Sequence, residues 1–130
     1  MAQKKVLVVD DEQDAVEFVR AVLEDEGLQV IAAYDGEAGL QAVAAHQPDL
    51  VILDVQMPKK DGFTVFIEMK QSDAMRSIPV VVLTAVADKT GIRFSKEDVG
   101  DFVGVEPDAY VEKPVDPQSL LQAVRNLLAD

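Results

Sequence analysis

Short uninterrupted apolar runs, each closed by a polar residue, limit this chain more than any other feature. Val6-Leu7-Val8-Val9 ends at Asp10, Leu50-Val51-Ile52-Leu53 ends at Asp54, and the run from Ile78 to Leu83, entered through Pro79, ends at Thr84. A strand with one wet face alternates apolar and polar side chains, whereas a strand that is apolar at every position needs cover on both faces. Between the runs, apolar residues return at helical spacing: Ala15, Val19, Val22 and Leu23; then Leu40 and Val43; then Phe63, Phe66, Ile67 and Met69; finally Leu120, Leu121, Val124, Leu127 and Leu128. Strands alternating with helices imply a parallel sheet between two helical layers.

Local signals divide the chain further. Gly27 can end the first helix, and Leu28–Tyr34 reads as a second strand. Asp35 is placed to cap a helix running through Ala45, and Gly62 opens another. Ala109–Val111 reads as a short fifth strand, and Asp116 caps a last helix with Pro117 in its first turn, where proline is tolerated. The expected fold is α/β, a doubly wound five-stranded parallel sheet in the flavodoxin-like order 2-1-3-4-5, forming one domain over residues 1–130. Residues 85–108 show only weak periodicity around Val99, Phe102 and Val103, and Ser95–Asp98 offer a cap for a short helix there.

Composition removes several function classes. The formal net charge is −12, which repels nucleic acid and anionic membranes and favours basic partners and divalent cations. No cysteine is present, so disulfides, zinc–thiolate sites and thiol nucleophiles are excluded. Val6–Val9 is too short for a signal peptide, and the uncharged stretch Ser77–Ala87 (which interrupts its apolar run with Pro79) is too short to span a bilayer.

In a sheet of this order the ligand site lies beyond the carboxyl ends of the strands, where strands 1 and 3 are neighbours. Asp10, Asp11, Asp54, Thr84 and Lys113 all fall at such ends. Carboxylates packed together must stay partly protonated or be neutralised by a cation, and an oxygen-seeking ion such as Mg2+ suits them. Asp11 and Asp54 are expected to bind it directly, Asp10 mainly through a held water, and the backbone carbonyl of Gln56 is a further ligand. With Lys113 included, the charges cancel. A carboxylate at such a site can accept a phosphoryl group, with Thr84 and Lys113 contacting the new phosphate oxygens. Movement of Thr84 toward the phosphate would open space for Tyr110, a two-state switch. Taken singly, each of these residues has a plainer explanation as a cap, a strand residue or a solvated charge. His46, near a helix end, reads as a partly exposed structural residue and not as a phosphoacceptor.

These residues, with the segments Val6–Glu12, Asp54–Gly62, Leu83-Thr84-Ala85 and Lys113-Pro114, resemble the CheY-like receiver domain of two-component response regulators over nearly the whole chain. The resemblance implies that Asp54 takes a phosphoryl group from a histidine kinase or histidine phosphotransfer protein. It implies Mg2+ dependence through Asp10, Asp11 and Asp54, phosphate contacts from Thr84 and Lys113, Tyr110 as a rotating switch, and a cis Lys113–Pro114 bond. It implies a cytoplasmic signalling protein that is not an enzyme beyond gaining and losing its own phosphate, with a downstream protein target, and it allows a dimer that forms on phosphorylation. The stretch between Thr84 and Tyr110 is several residues longer than the family usually has, which alters the region of the usual output face. Gln56 and Val86 flank Asp54, at positions that tune phosphate lifetime in the family. Read as complete, the chain is similar to stand-alone receivers; read as a segment, its output lies elsewhere.

Three other functions compete. A Mg2+-dependent phosphatase with an aspartyl nucleophile needs an acid/base two residues on, and Gln56 cannot transfer a proton usefully. A flavin or nucleotide module would seat its phosphate on Asp10-Asp11-Glu12, which repels anions. A receiver-like binding domain that no longer needs phosphate would have little use for the full set of reactive residues found here.

Overall fold

The computed structural model describes residues 3–54, 62–85, 108–113 and 115–128. In chain order the elements are β1 (Lys5–Val9), α1 (Gln13–Asp25), β2 (Gln29–Ala33), α2 (Gly36–His46), β3 (Leu50–Asp54), α3 (Gly62–Gln71), β4 (Val80–Ala85), β5 (Ala109–Lys113) and, after β5, α4 (Pro117–Leu128). The strands form one sheet in the order β2-β1-β3-β4-β5, and every neighbouring pair is parallel. The expected class, strand number and order are therefore found. The long stretch assigned no element in the sequence, and its suggested short helix, fall outside the described residues apart from Ala85 and Asp108.

Each central strand sends side chains to two cores, which is why its sequence is apolar throughout. Leu7, Val9, Val51, Leu53, Val80 and Val82 pack with Val43 of α2 and Val65, Phe66 and Met69 of α3. Val6, Val8, Leu50, Ile52, Val81 and Leu83 pack on the other side with Val16, Val19 and Leu23 of α1 and Leu120 and Val124 of α4. Full burial of one such side chain contributes roughly 1.5–3 kcal/mol. Strand β2 lies at the sheet edge and is only partly covered. It is shorter than the expected Leu28–Tyr34 because Leu28 belongs to the end of α1 and Tyr34, 39% exposed, lies past the last rung.

The helix ends follow their sequence signals. Gly27 takes φ 85°, its N–H donates to Glu24 O at 3.0 Å, and the Leu28 N–H donates to Leu23 O at 3.2 Å. This pair of bonds satisfies carbonyls that the last turn of α1 would otherwise leave open, and Leu23 and Leu28 meet in the same core. The Asp35 carboxylate accepts the Ala38 N–H at 2.8 Å at the start of α2. Asp116 accepts both the N–H and the hydroxyl of Ser119 at 2.9 Å, ahead of Pro117. Helix α2 lies close on β1 because Gly39 has no side chain: a Cβ there would stand 3.0 Å from both methyls of Val9. No helix among the described residues is long and apolar enough to cross a membrane.

Candidate phosphoacceptor and metal site

Strands β1 and β3 run side by side with Val9 paired to Leu53. The next residues, Asp10 and Asp54, therefore emerge together at the carboxyl edge of the sheet. Both are buried, 1% and 5% exposed, while Asp11 is open to solvent. One carboxylate oxygen from each of the three lies within 4.8 Å of the others. The backbone of Asp10 is tied down on its far side, where its N–H donates to Ala33 O of β2 at 3.1 Å. Its Oδ1 accepts the N–H of Glu12 at 3.0 Å and so shapes the turn into α1.

That hydrogen bond is a role the sequence did not single out for Asp10. An acidic pair ahead of a helix suggested a cap, but the residue at the N-cap of α1 is Glu12, whose side chain makes no capping bond. The Asp10 carboxylate acts one step earlier, on the turn. An Asp two residues before the amide it bonds is the available sequence signal.

The other anticipated residues are placed by the backbone. Asp54 pairs with Leu83, which sets Thr84 one residue further along β4. Thr84 pairs with Glu112, and Ala85 pairs with Lys113 at the end of β5. All four expected strand ends thus meet at one edge of the sheet. Tyr110, paired with Val82, is half-buried against the core that α2 and α3 cover. Gln56, Val86 and Pro114 lie outside the described residues, and with them the expected Gln56 ligand and the cis bond. His46 is exposed at the end of α2, where its carbonyl accepts from Lys5 Nζ at 3.3 Å.

Three carboxylates this close, two of them buried, have a chemistry that follows from charge. Burial penalises the charges of Asp10 and Asp54, and proximity penalises all three, so the ionised cluster calls for a counter-cation. The donors are all hard oxygens and part of the cluster is open to water, which fits Mg2+ with retained waters and excludes a soft-metal site.

Known proteins resemble this chain along nearly its whole length. Residues 6–125 match the model of the response regulator receiver domain. The chain is 40% identical to a probable transcriptional regulator ycf27 of Cyanophora paradoxa, over 97% of this chain and 48% of that protein. It is 38% identical to the response regulator PleD of Caulobacter vibrioides, over 95% of this chain and 26% of that one. Thus the chain spans about half or less of these curated relatives. Among solved structures, a putative response regulator from Chloroflexus aurantiacus superposes with a TM-score of 0.85 at 32% identity, covering 99% of this chain and 100% of the other. Vibrio cholerae chemotaxis protein CheY4 gives 0.82 at 28% identity, covering 98% and 100%.

Proposed function

The chain belongs to the response regulator receiver family, and on that premise we propose that Asp54 accepts a phosphoryl group from a phosphohistidine of a histidine kinase or a phosphotransfer protein. The observation that carries the proposal is the convergence of Asp10, Asp11 and Asp54 oxygens within 4.8 Å at the carboxyl edge of the sheet.

An oxygen of Asp54 attacks phosphorus, a P–O bond forms, the P–N bond of the donor breaks, and the imidazole nitrogen keeps the electron pair. Asp10, Asp11, Asp54 and the Gln56 carbonyl would hold Mg2+, which supplies charge neutralisation for the approaching phosphoryl oxygens. Asp10 orients the site by holding the turn at Glu12. Burial of Asp54 keeps competing water away from the acyl phosphate. Lys113 and Thr84, at the ends of β5 and β4, are assigned the phosphate oxygens, one by charge and the other by its hydroxyl.

The new phosphate adds negative charge at one edge of the sheet, and the switch proceeds from Thr84 to Tyr110. A half-buried tyrosine on the strand next to β4 suits an element with two packings. The output is altered affinity for a protein partner in the cytoplasm, or for a second phosphorylated copy. Longer relatives named as transcriptional regulators suggest gene control as one destination. Catalysis by the chain is confined to gain and loss of its own phosphate.

Incubation with acetyl phosphate and Mg2+, followed by intact-mass measurement, is expected to show one added phosphoryl group. An Asp54→Ala variant is expected to show none. Equal labelling of that variant would remove Asp54 from the role.

A further inference from the structure

The central strands present a problem of register. Val6–Val9 and Leu50–Leu53 are apolar at every position, and so are Val80–Leu83. In a half-exposed sheet a one-residue slip turns apolar side chains out into water and is strongly opposed. Between two covered faces that penalty fades, because a slipped strand still buries apolar side chains on both sides. Yet the site depends on register: a slip of one residue between β1 and β3 would set Asp10 level with Leu53 in place of Asp54.

At the opposite edge of the sheet, two aspartates make the same contact twice. Asp49, just before β3, donates its N–H to Lys5 O at 2.8 Å and accepts the Lys5 N–H on Oδ2 at 2.8 Å. Asp108, just before β5, donates its N–H to Val80 O at 2.9 Å and accepts the Val80 N–H on Oδ2 at 2.8 Å. Lys5 and Val80 are the first residues of β1 and β4. In each case a side chain and a backbone amide of the later strand's leading residue grip both polar groups of the earlier strand's first residue. In the observed register this grip satisfies both polar groups of the earlier strand's first residue, where the ladder begins. The gripped pairs are β1 with β3, which carry Asp10 and Asp54, and β4 with β5, which carry Thr84 and Tyr110.

We propose that Asp49 and Asp108 are positioning residues for the phosphoacceptor site, Asp49 aligning the carboxylates and Asp108 aligning the switch pair. The inference rests on the receiver function above. Each acts across a strand of five or six residues, at about 3.3 Å per residue, so neither touches the reacting atoms. A carboxamide oxygen accepts the same hydrogen bond as a carboxylate oxygen, so geometry and charge can be separated by substitution.

The test is Mg2+ affinity by isothermal titration calorimetry on the 130-residue chain, alongside thermal unfolding. Asp49→Ala is expected to weaken Mg2+ binding several-fold while Asp49→Asn restores most of it. Asp108→Ala is expected to leave Mg2+ affinity near wild type and to reduce the change in the Tyr110 environment when beryllofluoride is added, read by NMR. Val43→Ala, which loosens the shared core but leaves both aspartates in place, is the control: it should lower the melting temperature without changing Mg2+ affinity. Equal Mg2+ affinity of Asp49→Ala and wild type, or equal loss in Val43→Ala, would overturn the proposal. Absence of Mg2+ binding by the wild-type chain would instead overturn the receiver function on which it rests.

Discussion

Asp10 accepts the backbone N–H of Glu12 at 3.0 Å with the same carboxyl group that contributes to the acidic cluster. One buried side chain therefore both shapes the turn after β1 and supplies charge to the metal site. The two roles separate by substitution. Asp10→Asn keeps an oxygen acceptor for the Glu12 amide but loses the charge, so it should fold normally and bind Mg2+ roughly 10–100-fold more weakly. Asp10→Ala loses both and should also be less stable. Calorimetric titration and thermal melting of the two variants check the division.

Gln47 closes α2 with φ 47° and ψ 63°, the left-handed region that costs a residue with a Cβ about 1 kcal/mol or more. Its N–H donates to Val43 O at 2.9 Å, so the cap itself is needed. Gln47→Gly keeps the bond and removes the strain. After the greater flexibility of unfolded glycine is discounted, a gain of about 0.5–1 kcal/mol is expected, measurable by urea denaturation.

Asp116 is held below the usual carboxylate value of 3.8, first by the backbone N–H of Ser119 and then by its hydroxyl. Both bonds favour the ionised form. A depressed folded-state value means that the stabilisation is present above the unfolded value and is lost as pH falls through the folded one. The cap of α4 should therefore weaken only in acid, below pH 3.8. Ser119→Ala should raise the Asp116 titration midpoint toward the ordinary value, because the hydroxyl contact is gone while the backbone bond remains. Carboxyl-carbon NMR across the acid range reads this directly.

Phe66 is buried in the α2/α3 core, with Lys70 Nζ 5.5 Å from its ring centre. Phe66→Ala leaves a cavity in that core. The expected loss is about 3–5 kcal/mol, the range for a large aromatic in a packed core. Chemical denaturation checks it.

Much of the fold was legible in the sequence because the strands are buried on both faces, so their apolar runs stand out without any periodicity. Asp35 and Asp116 announced their helices because a cap acts on amides only three residues away. Detail was lost where tertiary packing decides. Val65, not among the residues picked out on α3, is fully buried, whereas Ile67 is only half-buried. Strand β4 begins at Val80 and takes in Thr84 and Ala85, because Ile78 and Pro79 belong to the turn entering it: the Ile78 N–H bonds back to Met75 O at 3.0 Å. Strand β5 runs on to Lys113 because its rungs with β4 continue to Ala85.

The candidate site was legible for a different reason. Its carboxylates follow apolar runs directly, so a strand reading places them at once. The grips of Asp49 and Asp108 are not legible in the same way, although each also stands beside an apolar run, at its start. The sequence holds no mark of which distant amide such a side chain will bond, and Lys5 lies 44 positions from Asp49.

The most direct test of the account is to locate the phosphoryl group. Acetyl phosphate with Mg2+ is followed by borohydride reduction, which converts an aspartyl phosphate to homoserine, and then by peptide mass mapping. Homoserine is expected at position 54, abolished by a chelator and by Asp10→Ala. Modification at another carboxylate, or at Asp54 with undiminished yield in the chelator, would contradict it.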